Sequence, residues 1–244
     1  MLRFRFTLYA ILFSGCILSA QIGGFRIGAG VGYSLYTGNQ MDGTISTSTH
    51  GKSELNKGYN LQVYKSINDK YEIGFRYLTT NLWSFKSNDA LGLSADIEEY
   101  SINIQRSLND NILLTDDRFT FNIVAGIGLC KFKSAFYDYT ATNVFNIPFS
   151  SIGYGNNLTL SGVSIPDKLI EPLLIAGFNI GFRVNNVITI YFENTFSTTN
   201  SNKISGNLYR KNSIPPDGFT YHAITLYINF FDYNKSKRMR CPKF

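Results

Sequence analysis

The chain has 244 residues, 44% of them hydrophobic and 16% charged, with a formal net charge of +6 from 23 basic and 17 acidic side chains. The excess lies at the two ends, in Arg3 and Arg5 and in a run holding Lys235, Lys237, Arg238, Arg240 and Lys243 against Asp232, so the body from Gln21 to Phe231 is neutral. Such a body offers no basic patch for a nucleic acid, and no nucleic-acid partner is expected.

Met1-Leu-Arg-Phe-Arg is basic and leads into an apolar run from Thr7 to Ala20 that closes on Leu18-Ser19-Ala20. This reads as a secretory signal peptide over residues 1–20, cut before Gln21. Gly15-Cys16 would suit a lipoprotein cleavage box, but Ile17-Leu18 continue the apolar run where a polar tether would follow. The run is 14 residues long, short of the roughly 20 that an α-helical span requires. Nothing later is apolar for as long, so any membrane span must be a strand. Residues 21–231 are read as an outer-membrane barrel and residues 232–244 as a basic periplasmic tail.

The first predicted strand, Phe25 to Tyr36, has Phe25, Ile27, Ala29, Val31, Tyr33 and Leu35 on one face and Arg26, Gly28, Gly30, Gly32 and Ser34 on the other. A polar connection, Asn39 to Lys57, leads to a second strand, Tyr59 to Ser66. A tight turn at Asn68-Asp69 opens the third, Tyr71 to about Phe85. The fourth is Asp96 to Leu108, and residues 109–117 turn into the fifth, Arg118 to about Tyr139. A long connection precedes the sixth, Leu169 to Val184; Asn185-Asn186 turn into the seventh, Val187 to Thr199. The connection 200–218 feeds the eighth, Phe219 to Phe231. In that strand Ile224, Leu226, Ile228 and Phe230 share one face, while Ala223, Thr225, Tyr227 and Asn229 share the other. Period two means strand. The expected fold class is all-β, an eight-stranded antiparallel up-and-down transmembrane β-barrel.

A secreted lipocalin-like barrel would also alternate, with its apolar face inward. The second face separates the two. It carries Gly28, Gly30, Gly32, Gly74, Gly126, Gly128, Gly177 and Gly181 among charged residues, a composition that suits a crowded interior better than a water-exposed surface. Short turns after the second, fourth and sixth strands alternate with long connections after the others, which places the termini in the periplasm and the long loops outside. An even number of strands can close and leave no edge in lipid.

The inward charges are Arg26, Glu72, Arg76, Glu99, Arg183 and Glu193. Arg26, Glu72 and Arg183 fall near the periplasmic end; Arg76 and Glu193 fall nearer the middle, on strands opposite each other in the ring. They are expected to form a salt-bridged plug, because charges taken out of bulk water persist only when paired. The alternative is a narrow porin-like channel for small or apolar solutes in which Arg76 exchanges partners.

Three cysteines add little: Cys16 leaves with the signal, and Cys130 and Cys241 fall ~25 Å or more apart in height at ~3.3 Å per residue and a tilt of about 45°. No disulfide, metal site or cofactor is expected. His50 lies in the first outer connection, and His222 lies on the outward parity of the last strand with Ile224, not Ser, two residues on. A lipid-modifying enzyme needs a base within reach of a nucleophile, so no catalytic residue is expected.

Tyr33, Tyr59, Tyr71, Phe85, Tyr100, Phe119 and Phe196 fall where strands should cross the membrane interfaces. Lys65 and Arg106 share the outward parity at periplasmic strand ends, where their stems can snorkel. The connection from Thr140 to Pro166, with Phe145, Ile147, Phe149, Ile152 and Tyr154, is too apolar for a simply solvated loop. It reads as a hairpin continuing the fifth and sixth strands above the membrane; otherwise it folds over the barrel mouth or serves as an outer partner-binding loop.

A signal ending in Ser-Ala-Gln, Gly28-Ala-Gly-Val-Gly32 in the first strand and an aromatic-ended last strand resemble the small outer-membrane β-barrel proteins of Bacteroidota, an OmpA-like barrel group. The resemblance implies residence in the outer membrane, contact with its lipid and lipopolysaccharide, and insertion by the barrel-assembly machinery. It implies a structural or partner-binding role, in some members as an accessory to an outer-membrane secretion or assembly complex, and no enzymatic activity. The peptidoglycan tether of larger members is not carried over.

Overall fold

The computed structural model describes residues 24–38, 55–68, 70–86, 91–109, 118–138, 148–152, 169–201, 204 and 216–230. The expected signal peptide and basic tail lie outside the described residues. The strands are β1 (Phe25–Thr37), β2 (Asn56–Ser66), β3 (Tyr71–Lys86), β4 (Leu91–Ser107), β5 (Phe119–Asp138), β6 (Pro148–Ile152), β7 (Leu169–Arg183), β8 (Ile188–Thr199) and β9 (Gly218–Phe230).

Every pairing is antiparallel. β1 pairs with both β2 and β9, and β4 with β5, so eight strands close in the order β1-β2-β3-β4-β5-β7-β8-β9. The short β6 stands outside this ring and pairs with the far end of β5, Ser134 opposite Ile152. The connection after β5 thus supplies a hairpin partner from its own residues, and the ring strand β7 begins later, at Leu169. Phe149 and Ile152 lie in β6, whereas Phe145, Ile147 and Tyr154 lie outside the described residues.

Two ring turns are built on asparagine. The Asn68 side chain accepts the backbone N–H groups of Lys70 and Tyr71, both at 2.9 Å. Asn185 does the same for Val187 and Ile188 at 2.8 and 2.7 Å. These are the Asx turns that pin a hairpin's register. The end of the barrel that carries them is here called the turn end, and the opposite mouth the loop end.

The outward face is apolar. On β1, Val31 is 59% exposed while the neighbouring parity holds Arg26 at 6%. A soluble barrel would show the reverse, so the lipocalin-like arrangement is excluded by which face points out. On β5 the outward residues from Phe119 to Leu129 are Phe, Phe, Ile, Ala, Ile and Leu. At ~3.3 Å per residue and a tilt of about 45°, that stretch is roughly 23 Å high, the height of a bilayer-spanning apolar band. Tyr33, Tyr59, Tyr71, Tyr100, Phe119 and Phe196 are exposed on this face; of Phe85 only the backbone is described. At the turn end, the Arg106 guanidinium lies 5.8 Å from the ring centre of Tyr71.

Candidate functional site

The inner face is filled in three storeys. Nearest the turn end, Arg26 on β1 is held at 2.5 Å by Glu72 on β3 and donates to Gln105 on β4 at 2.9 Å. Its guanidinium also faces three rings, those of Tyr64, Tyr191 and Tyr227, at 5.1, 4.6 and 4.5 Å from their centres. Tyr227 packs against the other two, at 6.2 Å from Tyr64 and edge-on at 5.2 Å from Tyr191. A cation enclosed by rings in this way gains more than it would at the surface, because little water competes for it.

Each of these tyrosines lies beside a glycine of the next strand. Tyr227 is registered with Gly28, Tyr64 with Gly74 and Tyr191 with Gly181. A Cβ added at Gly28 would come within 2.5–2.8 Å of the Tyr227 ring, and one at Gly181 would meet the ring of Tyr191 at 2.5 Å. A Cβ at Gly74 would likewise strike Tyr64. These inward glycines therefore make room for rings, a use that offsets the weakening glycine brings to a strand.

The middle storey is polar and spans the lumen. Arg76 on β3 donates through Nε and Nη2 to Glu99 Oε1 at 2.9 and 2.6 Å, and through Nη1 to Thr195 Oγ1 on the opposite strand β8 at 3.0 Å. Glu99 also accepts from Ser101 at 2.8 Å and from Ser197 at 3.3 Å. Arg76 and Glu99 are 2% and 0% exposed, so the pair is held without bulk water. Glu193 is satisfied by neutral donors: Gln62 Nε2 at 2.7 Å, Asn60 Nδ2 at 3.2 Å and the Tyr227 hydroxyl at 2.9 Å.

The third storey, toward the loop end, is apolar. Leu78, Leu82, Leu93, Ile97, Phe132 and Phe219 pack there in one buried cluster. Ile204, from the connection between β8 and β9, is buried in the same cluster. Above it the Tyr36 hydroxyl donates to Asp217 Oδ1 at 2.5 Å, tying β1 to the residue that precedes β9.

Five of the six expected lumen charges, Arg26, Glu72, Arg76, Glu99 and Glu193, are inside the ring. Arg183 is not part of the network. It has the inward parity but ends β7, and its side chain is exposed beyond the ring while its backbone N–H donates to Arg118 O at 2.8 Å. Arg76 takes its partner from the adjacent strand, because Glu99 stands two residues from its own rung at Ser101. Gln105 and Tyr227 are placed on the inner face by the alternation, whereas Tyr64, Tyr191 and Gln62 carry no charge and belong to no motif. Their signal was inward parity opposite a glycine or a carboxylate. The apolar storey also had a signal, since the inward positions of β3 change from Glu72 and Arg76 to Leu78 and Leu82. His222 is half-buried on the outward face, registered with Tyr33 and Asn194, and His50 lies outside the described residues.

No family model matches the sequence, and no curated protein matches it significantly. Among solved structures, the chain is similar to Ail, the attachment invasion locus protein of Yersinia pestis, at 12% identity and a TM-score of 0.44, covering 85% of this chain and 99% of that one. The N-terminal β-barrel domain of Pseudomonas aeruginosa OprF is similar at 8% identity and a TM-score of 0.43, over 85% of this chain and 99% of that one. The outer membrane enzyme PagL is similar at 13% identity and a TM-score of 0.35, over 83% and 98%. These are likenesses of fold and assign no activity. The chain is a closed eight-stranded antiparallel β-barrel with an apolar exterior and a lumen occupied by its own side chains.

Proposed function

We propose that this chain is an outer-membrane barrel whose lumen is sealed by its own side chains, and whose role is structural or partner-binding rather than catalytic. The observation that supports it is the contrast between faces. Arg76, Glu99 and Glu193 are buried and bonded inside, while Ile127, Leu174 and Ile224 are more than 60% exposed outside. In water that exterior would be a large apolar patch; in a bilayer it is the solvated face.

Closure supports the same reading, because a ring has no edge whose backbone groups lipid would leave unsatisfied. In this reading the turn end faces the periplasm and the connections of the loop end face outward. The apolar belt meets lipid and lipopolysaccharide, and the barrel-assembly machinery inserts the chain. The outer connection containing residues 140–166 is the surface offered to a protein partner.

An epitope inserted between Asn185 and Asn186, or between Asn156 and Asn157 in the long connection, tests location and orientation together. On intact cells antibody should bind only the second insertion. Both should be found in the outer-membrane fraction. Binding to the first, or recovery of both in the inner membrane, would reject the reading.

A further inference from the structure

The exterior changes character over three adjacent strands. Two rungs of the sheet read Thr79, Glu98, Lys131 and Asn81, Asp96, Lys133 across β3, β4 and β5. All six side chains have outward parity, since their chain neighbours Leu78, Thr80, Ile97, Glu99, Cys130 and Phe132 are buried in the lumen. β4 thus presents a column of two acids, and β5 beside it a column of two lysines. They begin directly above Tyr100 and Leu129, where the apolar belt stops.

These are also the long strands of the ring. β3, β4 and β5 have 16, 17 and 20 residues, against 13, 11, 15, 12 and 13 for β1, β2, β7, β8 and β9. One side of the wall therefore rises above the rest. Within the chain the charges already have partners: Lys133 stands 3.3 Å from Asp96 and Lys131 3.9 Å from Glu98. Asp96 also accepts from Asn81 Nδ2 at 2.6 Å and Glu98 from the Tyr100 hydroxyl at 3.3 Å, yet the four charged side chains stay 29–38% exposed. Exposed pairs of this kind add little to the stability of a single chain.

We propose that this wall is where a second copy of the chain docks, and that the acid and lysine columns are its specificity element. Two copies inserted in the same direction can be related by a twofold axis only if that axis runs along the membrane normal. Set between β4 and β5, the axis brings the acid column of each copy opposite the lysine column of the other. An interface of this isologous kind must be self-complementary, and paired columns of opposite sign are, whereas a patch of one sign would repel its copy. Below the charges the outward residues Ile102, Ile104, Ala125, Ile127 and Leu129 continue down the same two strands, so apolar contact can extend into the membrane. The inference requires the outward face to meet lipid, and it is independent of whether the lumen conducts.

The test uses the full chain, labelled in separate batches with donor and acceptor fluorophores and reconstituted together at high dilution in phosphatidylcholine vesicles. Wild-type protein should show energy transfer well above random encounter. The all-basic variant D96K/E98K and the all-acidic variant K131E/K133E should each fall to the random level. A mixture of the two should regain transfer, because acid columns then meet lysine columns. The folded-barrel mobility shift on unheated gels checks that both variants insert intact. Random-level transfer in the wild type, undiminished pairing of either variant alone, or no recovery in the mixture would each overturn the proposal.

Discussion

Replacing Glu99 by Ala lowers the unfolding free energy by about 3–5 kcal/mol, the range for removing one partner of a buried ion pair. The size follows from what is left behind. Arg76 is buried, two of its donors lose Glu99 Oε1, and only the Thr195 hydroxyl still accepts from it. The penalty is therefore that of a stranded cation, rather than the worth of one contact. It also follows that removing both partners does less harm than removing one, so R76M/E99L should recover most of the loss. Glu72→Ala provides a graded comparison: Glu72 is 24% exposed, and Arg26 keeps Gln105 and three rings, so its loss should be smaller. Urea unfolding of the reconstituted protein ranks all three. Equal losses in E99A and E72A would mean that water reaches the middle of the lumen.

The second large effect belongs to the glycines under the tyrosines. Gly28→Ala places a methyl group 2.5–2.8 Å from the Tyr227 ring, which has no room to yield without releasing Gln62 and Glu193 from its hydroxyl. Overpacking of this kind costs about 1–3 kcal/mol. Truncating the ring removes the collision, so G28A/Y227A should be more stable than the two single losses added together predict, with a coupling of about 0.5–3 kcal/mol. A cycle of four unfolding curves measures it. Strict additivity would show that glycine at this position serves something other than the ring.

Much of this architecture was legible in the alternation itself. Ile224, Leu226, Ile228 and Phe230 determined a face, Asn68 and Asn185 marked their turns, and the glycine-rich second face pointed inward. Boundaries at the loop end were less legible. β2 starts at Asn56 and β4 at Leu91, earlier than polarity suggests, because beyond the apolar belt a strand can continue with any side chain that tolerates water. Arg183 shows that parity assigns a face but not a height. The partner of Arg76 was not legible either: which carboxylate lies diagonally within reach depends on the stagger between strands, and that stagger is set only when the ring closes. The Arg26 enclosure is the clearest case. Its three tyrosines come from β2, β8 and β9, and no spacing along the chain brings them together.

The central claim is that the side chains of the barrel close it. Single-channel recording of the purified wild-type protein in planar bilayers tests this most directly. A silent baseline under applied voltage, with insertion verified separately, is the predicted result; steady, reproducible openings from the wild-type chain would contradict it.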